Sequence, residues 1–273
     1  MDNRPIGVFD SGLGGLTALR QLQQVLPNED IVYFGDTGRV PYGTRSKETI
    51  RRYTREDCAL LLNENVKYII AACGTVSSVA QDELARLPVP ATGVVQPTAA
   101  KAVATTQNGR IGIIGTAATV QSAAFEKALL AIQPNLHITA TACPLFVSLV
   151  ENGWIDEEDP VTVLTVRRYL AQIKQAGVDT LILGCTHFPL LAPIIQKELG
   201  DHVHLIDSGR ETALLCAQQL GERDGLADKN TGRCSFYVSD RAEGFSRVAE
   251  IFLGRSVQEN VQTVPPERMK QKG

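Results

Sequence analysis

Long apolar runs are missing from this chain, as are clustered cysteines, clustered histidines and any strong excess of one charge. No stretch approaches the roughly 18–20 uninterrupted apolar residues that a membrane span needs, so no membrane partner is expected. The N-terminus, Met1-Asp2-Asn3-Arg4-Pro5, leads directly into a short strand-like segment, and no secretory apolar core is present. Six cysteines (Cys58, Cys73, Cys143, Cys185, Cys216, Cys234) lie far apart without a CxxC pair. That spacing argues against a disulfide framework and for free thiols in a reducing cytoplasm. Only four histidines occur, none paired with a cysteine at zinc-finger spacing, so no structural metal is expected. A formal net charge of -3 argues against nucleic acid as a partner. Aromatic residues are only 5% of the chain, so the core must be aliphatic.

What is present is length and aliphatic content: 273 residues, 44% hydrophobic and 21% charged, enough for two domains of ordinary size. Two matching phrases organise it. The first is Val66-Lys67-Tyr68-Ile69-Ile70-Ala71-Ala72-Cys73-Gly74-Thr75, and the second is Val178-Asp179-Thr180-Leu181-Ile182-Leu183-Gly184-Cys185-Thr186-His187. Each is an apolar, β-branched run of buried-strand type, closing in a small residue, a cysteine and a nearby threonine. A helical pattern follows each. In an open α/β sheet the carboxyl ends of parallel strands face the ligand crevice, so both thiols are expected there. A lone cysteine in such a place is more often structural; two in the same local context shift the balance toward function.

The rest of the chain repeats that grammar. Residues 6–9 form a short strand ending in Asp10-Ser11-Gly12-Leu13-Gly14-Gly15, a glycine-rich turn able to cradle an anion. It is not GxGxxG, and the plainer role of Asp10-Ser11 is to cap the following helix. Ile31-Val32-Tyr33-Phe34 ends at Asp36, and the turn Val40-Pro41-Tyr42-Gly43 leads into a helix from about Lys47. By itself that turn reads as surface. A fourth strand near 93–95 is expected to leave the first sheet. Ile111-Gly112-Ile113-Ile114 then echoes Ile6-Gly7-Val8-Phe9 and ends in Thr116 and Thr119, while Asp207-Ser208-Gly209 echoes Asp10-Ser11-Gly12. Strands alternate with helices of 10–15 residues throughout, which predicts mainly parallel sheets covered on both faces. The fold class is therefore α/β, with two similar, pseudo-symmetric lobes and an active site in the cleft between them. Residues 1–96 with 208–255 make the first lobe, carrying Cys73; residues 97–207 make the second, carrying Cys185. Residues 256–273 are a polar C-terminal tail.

Two facing thiols suit one reaction well. Taking the α-proton from an amino acid and returning it on the other face needs two acid/base groups flanking one carbon. A thiol with an ordinary pKa near ~8.5 can serve in either state when its surroundings shift it. Asp10, Ser11, Thr75, Thr116, Thr119 and Thr186 would hold the ammonium and carboxylate of the substrate. His187 and Asp36 are titratable candidates for tuning the thiols. His187 alone is more often a satisfied side chain; its place two residues after Cys185 gives it weight.

The strings Asp10-Ser11-Gly12-Leu13-Gly14-Gly15, Asp36, Pro41-Tyr42-Gly43, Cys73-x-Thr75 and Gly184-Cys185-Thr186-His187-Phe188-Pro189-Leu190-Leu191 together resemble the signature of bacterial glutamate racemases, over about residues 5–255. The resemblance implies a cofactor-independent enzyme in which Cys73 serves the D-glutamate side and Cys185 the L side. It implies catalytic help from Asp10, Asp36, Glu151 and His187. It implies substrate binding by Asp10, Ser11, Pro41, Tyr42, Gly43, Gly74, Thr75, Thr186 and His187. It further implies a homodimer that supplies D-glutamate for peptidoglycan. One position departs: the family usually has Cys-Asn-Thr where this chain has Cys73-Gly74-Thr75. The missing amide predicts a weaker affinity for glutamate, and predicts that Gly74→Asn lowers the Michaelis constant.

Two other readings stand beside this one. The first is a racemase or isomerase of another small dicarboxylic acid, of aspartate or maleate type; His187 counts against aspartate, where the related pattern tends to carry Glu. The second is a two-lobed dicarboxylate-binding protein without turnover, which would need neither thiol. A pyridoxal-phosphate enzyme is disfavoured because no lysine occupies a strand-end motif.

Overall fold

The computed structural model describes residues 1–240, 242, 245–255 and 261–265, and it arranges them around two separate sheets. The strands are β1 (Ile6–Asp10), β2 (Ile31–Gly35), β3 (Tyr68–Ala71), β4 (Ala91–Gly93), β5 (Arg110–Gly115), β6 (His137–Ala142), β7 (Thr180–Leu183), β8 (His204–Asp207), β9 (Cys234–Val238) and β10 (Val261–Thr263). The first sheet has the order β10-β9-β2-β1-β3-β4 and the second β6-β5-β7-β8. Every pairing in both sheets is parallel. The run β2-β1-β3-β4 repeats in order as β6-β5-β7-β8. Cys73 follows β3 and Cys185 follows β7, so the two cysteines occupy equivalent places.

The strands read as continuous apolar runs because helices cover both faces. All five residues of β1 and of β2 are buried, and so are all four of β3 and of β7. The helices start where the sequence supplies caps. Asp159 accepts from the Thr162 backbone N–H at 2.8 Å, and Pro160 takes the first helical position of Pro160–Gln175. That helix buries Thr162, Val166, Leu170 and Ile173, a stripe of helical period that packs on the second sheet. Asp207 caps Ser208–Gly221 in the same way.

Two expectations need correction. β4 does not leave the first sheet: Ile69 pairs with Ala91 and Ala71 with Gly93, closing its edge. The segment read as a polar tail contributes β10, which pairs with β9 through Val261↔Phe236. Three residues with one apolar side chain at the strand start are too short to show a period. The other tail residues lie outside the described ones.

Candidate active site

The carboxyl ends of β1, β3, β5 and β7 converge on a cavity of about 310 Å³ between the lobes. Both thiols line it. Cys73 is the N-cap of the helix Gly74–Val79, and Cys185 sits two residues past the end of β7. Asp10, Ser11, Pro41, Tyr42, Gly43, Gly74, Thr75, Thr116, Glu151, Thr186 and His187 also line the cavity, as the sequence predicts. Asp36 and Thr119 do not. Sequence reasoning missed Pro144, Val147 and Ser148, which reach the cavity from the helix Pro144–Glu151. Their signal was available, since Cys143-Pro144 follows β6 as a strand-end phrase like the others. A larger cavity of about 620 Å³ runs outside this site and holds neither thiol.

The two thiols have different surroundings. The Cys73 sulfur donates to Ser11 Oγ at 3.5 Å. Burial pushes this thiol up to about 12, and the nearby Asp10 carboxylate adds to the rise, against the pull of the Ser11 hydroxyl. Cys73 is therefore a thiol at neutral pH, ready to give a proton. Cys185 Sγ lies 3.7 Å from His187 Nδ1, and His187 Nε2 lies 3.0 Å from Glu151 Oε1. Burial disfavours the imidazolium, but hydrogen bonds to Cys185 and Glu151 and their charges outweigh it, raising His187 to about 10. A protonated imidazole with an acceptor at each nitrogen stands beside the second sulfur. Cys143, buried behind it, is also pushed up to about 12 and has no place in the cavity.

His187 is held there by a close approach of the lobes. A Cβ on Gly14 would overlap Thr186 Oγ1 and the His187 ring, so any larger residue at this turn must displace those side chains. Thr17 Oγ1 donates to the Thr186 carbonyl at 2.8 Å, and the His187 ring packs edge-on against Phe252, centroids 5.2 Å apart. The glycine-rich turn after β1 thus seats the histidine of the other lobe, a role its sequence alone did not disclose. Asp10 Oδ2 accepts from the Gly12 backbone at 3.0 Å, while Asp10 Oδ1 is buried with no partner among the described residues. Burial without a partner pushes the Asp10 carboxyl above its ordinary range. Across the lobes, Thr75 Oγ1 lies 3.1 Å from Thr116 Oγ1, which lies 3.0 Å from Thr119 Oγ1. Thr119 is thus a support behind Thr116 rather than a wall residue.

Asp36 is committed elsewhere. Its carboxylate receives Tyr42 Oη, Arg39 Nε and, at 2.6 Å, Ser239 Oγ. Fully buried, it anchors the turn carrying Val40 to Thr44 instead of touching either sulfur. Tyr42 Oη also reaches Asp57 Oδ2 at 2.9 Å, and Arg39 reaches Asp57 Oδ1 at 2.8 Å. One hydroxyl proton cannot serve two ionised carboxylates. Burial, then the charge of Asp36, pushes Asp57 well above the usual carboxylate range, so Asp57 keeps its proton. Asp57→Ala should therefore cost about 2 kcal/mol by leaving Tyr42 and Arg39 short of a buried partner. Asp57→Asn, which stays neutral, should cost less than about 1 kcal/mol. Urea midpoints decide it: an Asn variant as unstable as the Ala variant would mean that Asp57 is ionised.

The His187 shift also carries a pH signature. A group that holds its proton more tightly when folded gives stability that is complete below its unfolded pKa, near 6.5, and is lost as pH rises toward about 10. Cys73 adds a similar loss only between its unfolded value, 9.0, and about 12. Melting temperatures between pH 6.5 and 9 should fall with pH in the wild type and stay flat in His187→Gln. Parallel slopes for the two proteins would remove the imidazolium from this account.

Two parallel α/β lobes each present a strand-end thiol to one cavity. The Asp/Glu/Hydantoin racemase model matches residues 11–216, and the chain belongs to that family. The glutamate racemase of Geobacter metallireducens is 46% identical over 253 residues, covering 92% of this chain and 93% of that protein. Among solved structures, the glutamate racemase isoform RacE1 of Bacillus anthracis superposes with a TM-score of 0.92 at 37% identity, covering 97% of this chain and 98% of that one. The Francisella tularensis glutamate racemase, solved with D-glutamate, gives 0.90 at 36% identity, with 98% and 99% covered.

Proposed function

We propose that this protein interconverts L- and D-glutamate by moving the α-proton between two cysteines, without a cofactor. The observation that carries the reading is the placement of Cys73 and Cys185 at equivalent strand ends on one cavity. For L-glutamate, the Cys185 thiolate, paired with the His187 imidazolium, takes the proton from Cα. The electron pair moves into the α-carboxylate, where the hydroxyls of Ser11, Thr75, Thr116 and Thr186 and the backbone amides at the starts of the two short helices donate to the developing charge. Cys73, held as a thiol, then delivers its own proton to the opposite face and yields D-glutamate. The reverse direction exchanges the two roles. Asp10, on the cavity wall, faces the ammonium group. The D-glutamate would supply peptidoglycan synthesis in the cytoplasm, and the enzyme would act as a homodimer. No helix among the described residues is long and apolar enough to cross a membrane. No group of three or more metal-binding side chains occurs among those residues.

The test is L-glutamate in deuterated water with the dialysed protein, followed by proton NMR and circular dichroism. The α-proton signal should vanish as the ellipticity decays to zero. Exchange of aspartate in preference to glutamate would change the substrate, and tight glutamate binding without exchange would make the protein a binding module.

A further inference from the structure

The chain passes between the lobes twice, from β4 to β5 and from β8 to β9. The first crossing leaves β4 at Val94 and enters the helix Val95–Thr105. The second leaves β8 at Ser208, the first residue of the helix Ser208–Gly221. The last register pair of β3 and β4 is Ala71↔Gly93, and that of β7 and β8 is Leu183↔Asp207. Each crossing therefore begins one residue past the last pair. In each lobe that pair contains the residue two before a cavity cysteine, Ala71 before Cys73 and Leu183 before Cys185.

A parallel ladder that stops here leaves a strand-end carbonyl in need of a donor, and burial makes an open acceptor costly. A serine hydroxyl answers in both lobes. Ser77 Oγ, from the helix Gly74–Val79, donates to the Ala71 carbonyl at 3.0 Å and accepts the Val94 backbone N–H at 3.0 Å. Ser208 Oγ donates to the Leu183 carbonyl at 2.8 Å. Both serines are buried, and neither lines the thiol cavity. The space around the crossings is tight. A Cβ on Gly93 would lie closer than 3.0 Å to Ser77 Oγ, and one on Gly209 would lie 2.9 Å from Ala18 of the first lobe.

On the two-thiol reading proposed above, on which this rests, we infer that Ser77 and Ser208 are paired positioning residues for Cys73 and Cys185. Each hydroxyl ties an interlobe crossing to the strand end that carries a thiol. The thiols are thereby fixed to the crossings and not to their own strands alone, so the crossings set the distance over which the proton is moved. The two lobes reach this from opposite ends: Ser77 follows its cysteine and reaches to the crossing, while Ser208 is the crossing residue and reaches back.

The test compares Ser77→Ala and Ser208→Ala with two controls, Thr98→Val and Thr212→Val. The control hydroxyls donate to the Val94 and Ser208 carbonyls, so their loss removes a buried bond from the same crossings without touching a thiol-bearing strand. Each protein receives L- and D-glutamate in deuterated water at a temperature where it is fully folded, and α-proton exchange without inversion is measured beside racemisation. Ser77→Ala displaces Cys73: racemisation should fall about tenfold, KM should change less than about twofold, and the ratio of exchange to racemisation for L-glutamate should rise about fivefold. Ser208→Ala should raise that ratio for D-glutamate instead. Both controls should keep the wild-type ratios. The Val94 amide, stripped of its acceptor, should exchange at least about tenfold faster in Ser77→Ala. Ser77→Cys and Ser208→Cys, which keep a weak donor, serve if an alanine variant melts early, and should move the same ratios in the same direction by less. A wild type that does not racemise would remove the racemase reading and this pairing with it. An active wild type whose serine variants keep its rate, or keep its ratios, would overturn the pairing alone.

Discussion

Cys73→Ser and Cys185→Ser are each expected to cut racemisation by at least about a thousandfold, the scale of a lost general acid or base. A serine hydroxyl at the same place keeps the volume but holds its proton far too tightly to act as base and gives it up too reluctantly to act as acid. Each single variant retains one competent thiol. Cys73→Ser keeps the sulfur beside His187 and should still wash out the α-proton of L-glutamate, while Cys185→Ser should act only on the D enantiomer. Folding should change little, because both side chains sit in the cavity wall and not in the centre of either lobe, with 5% and 8% of their surface exposed. A melting shift larger than a few degrees would give the thiols a structural role. Racemisation near the wild-type rate in either variant would sink the two-base assignment.

The second large effect reverses the expectation drawn from sequence at position 74. Side-chain chemistry alone predicts that Gly74→Asn adds an amide donor and tightens glutamate binding. The structure places the Gly184 carbonyl oxygen of the other lobe where a Cβ on residue 74 would lie, closer than 3.0 Å. The obstacle is backbone, which cannot swing aside as a flexible side chain can. Any larger residue must therefore push the ends of β3 and β7 apart, carrying Cys73 away from Cys185. A misplacement of about 1 Å between catalytic groups costs on the order of a hundredfold, more than one hydrogen bond to a charged group returns. Gly74→Asn should thus lose about a hundredfold in kcat, and Gly74→Ala should lose as much, since both carry the same Cβ. Measuring the two side by side separates sterics from the amide. A fall in KM with kcat preserved for Asn would restore the earlier expectation.

Much of this was legible in the chain because it repeats. Two strand-end cysteines, two Asp-Ser-Gly turns and two Ile-Gly openings were enough to place both thiols on one cleft with Asp10, Ser11, Thr75, Thr116, Thr186 and His187, while Pro41, Tyr42, Gly43, Gly74 and Glu151 came only with the family resemblance. What escaped depends on distances that no local pattern encodes. Asp57 sits in the charged helix Lys47–Asn63, where an Arg-Glu-Asp run reads as a solvated face; only the fold shows it wholly buried against Tyr42. Asp36 has the right spacing for the cleft, yet Arg39 and Ser239, the latter brought in by β9, hold it behind the turn. Gly74 looked like a deletion of function and is instead one of the contacts at which the lobes touch. Contacts between lobes depend on residues far apart in the chain, so single-segment reasoning fails first at the seam.

The matching strand order of the two sheets has a kinetic meaning. Mirror-image amino acids have equal free energies in water, so the equilibrium constant between them is one. The Haldane relation then forces kcat/KM for the two enantiomers to be equal, whatever the protein does. In the proposed two-thiol mechanism, a near-twofold scaffold would meet that constraint by offering each face of the α-carbon the same kind of group from the same kind of place. The departures from symmetry, His187 and Glu151 behind one sulfur and Ser11 and Asp10 beside the other, cannot favour either product. They can only raise or lower kcat and KM together for one hand, setting which enantiomer saturates the enzyme at the lower concentration.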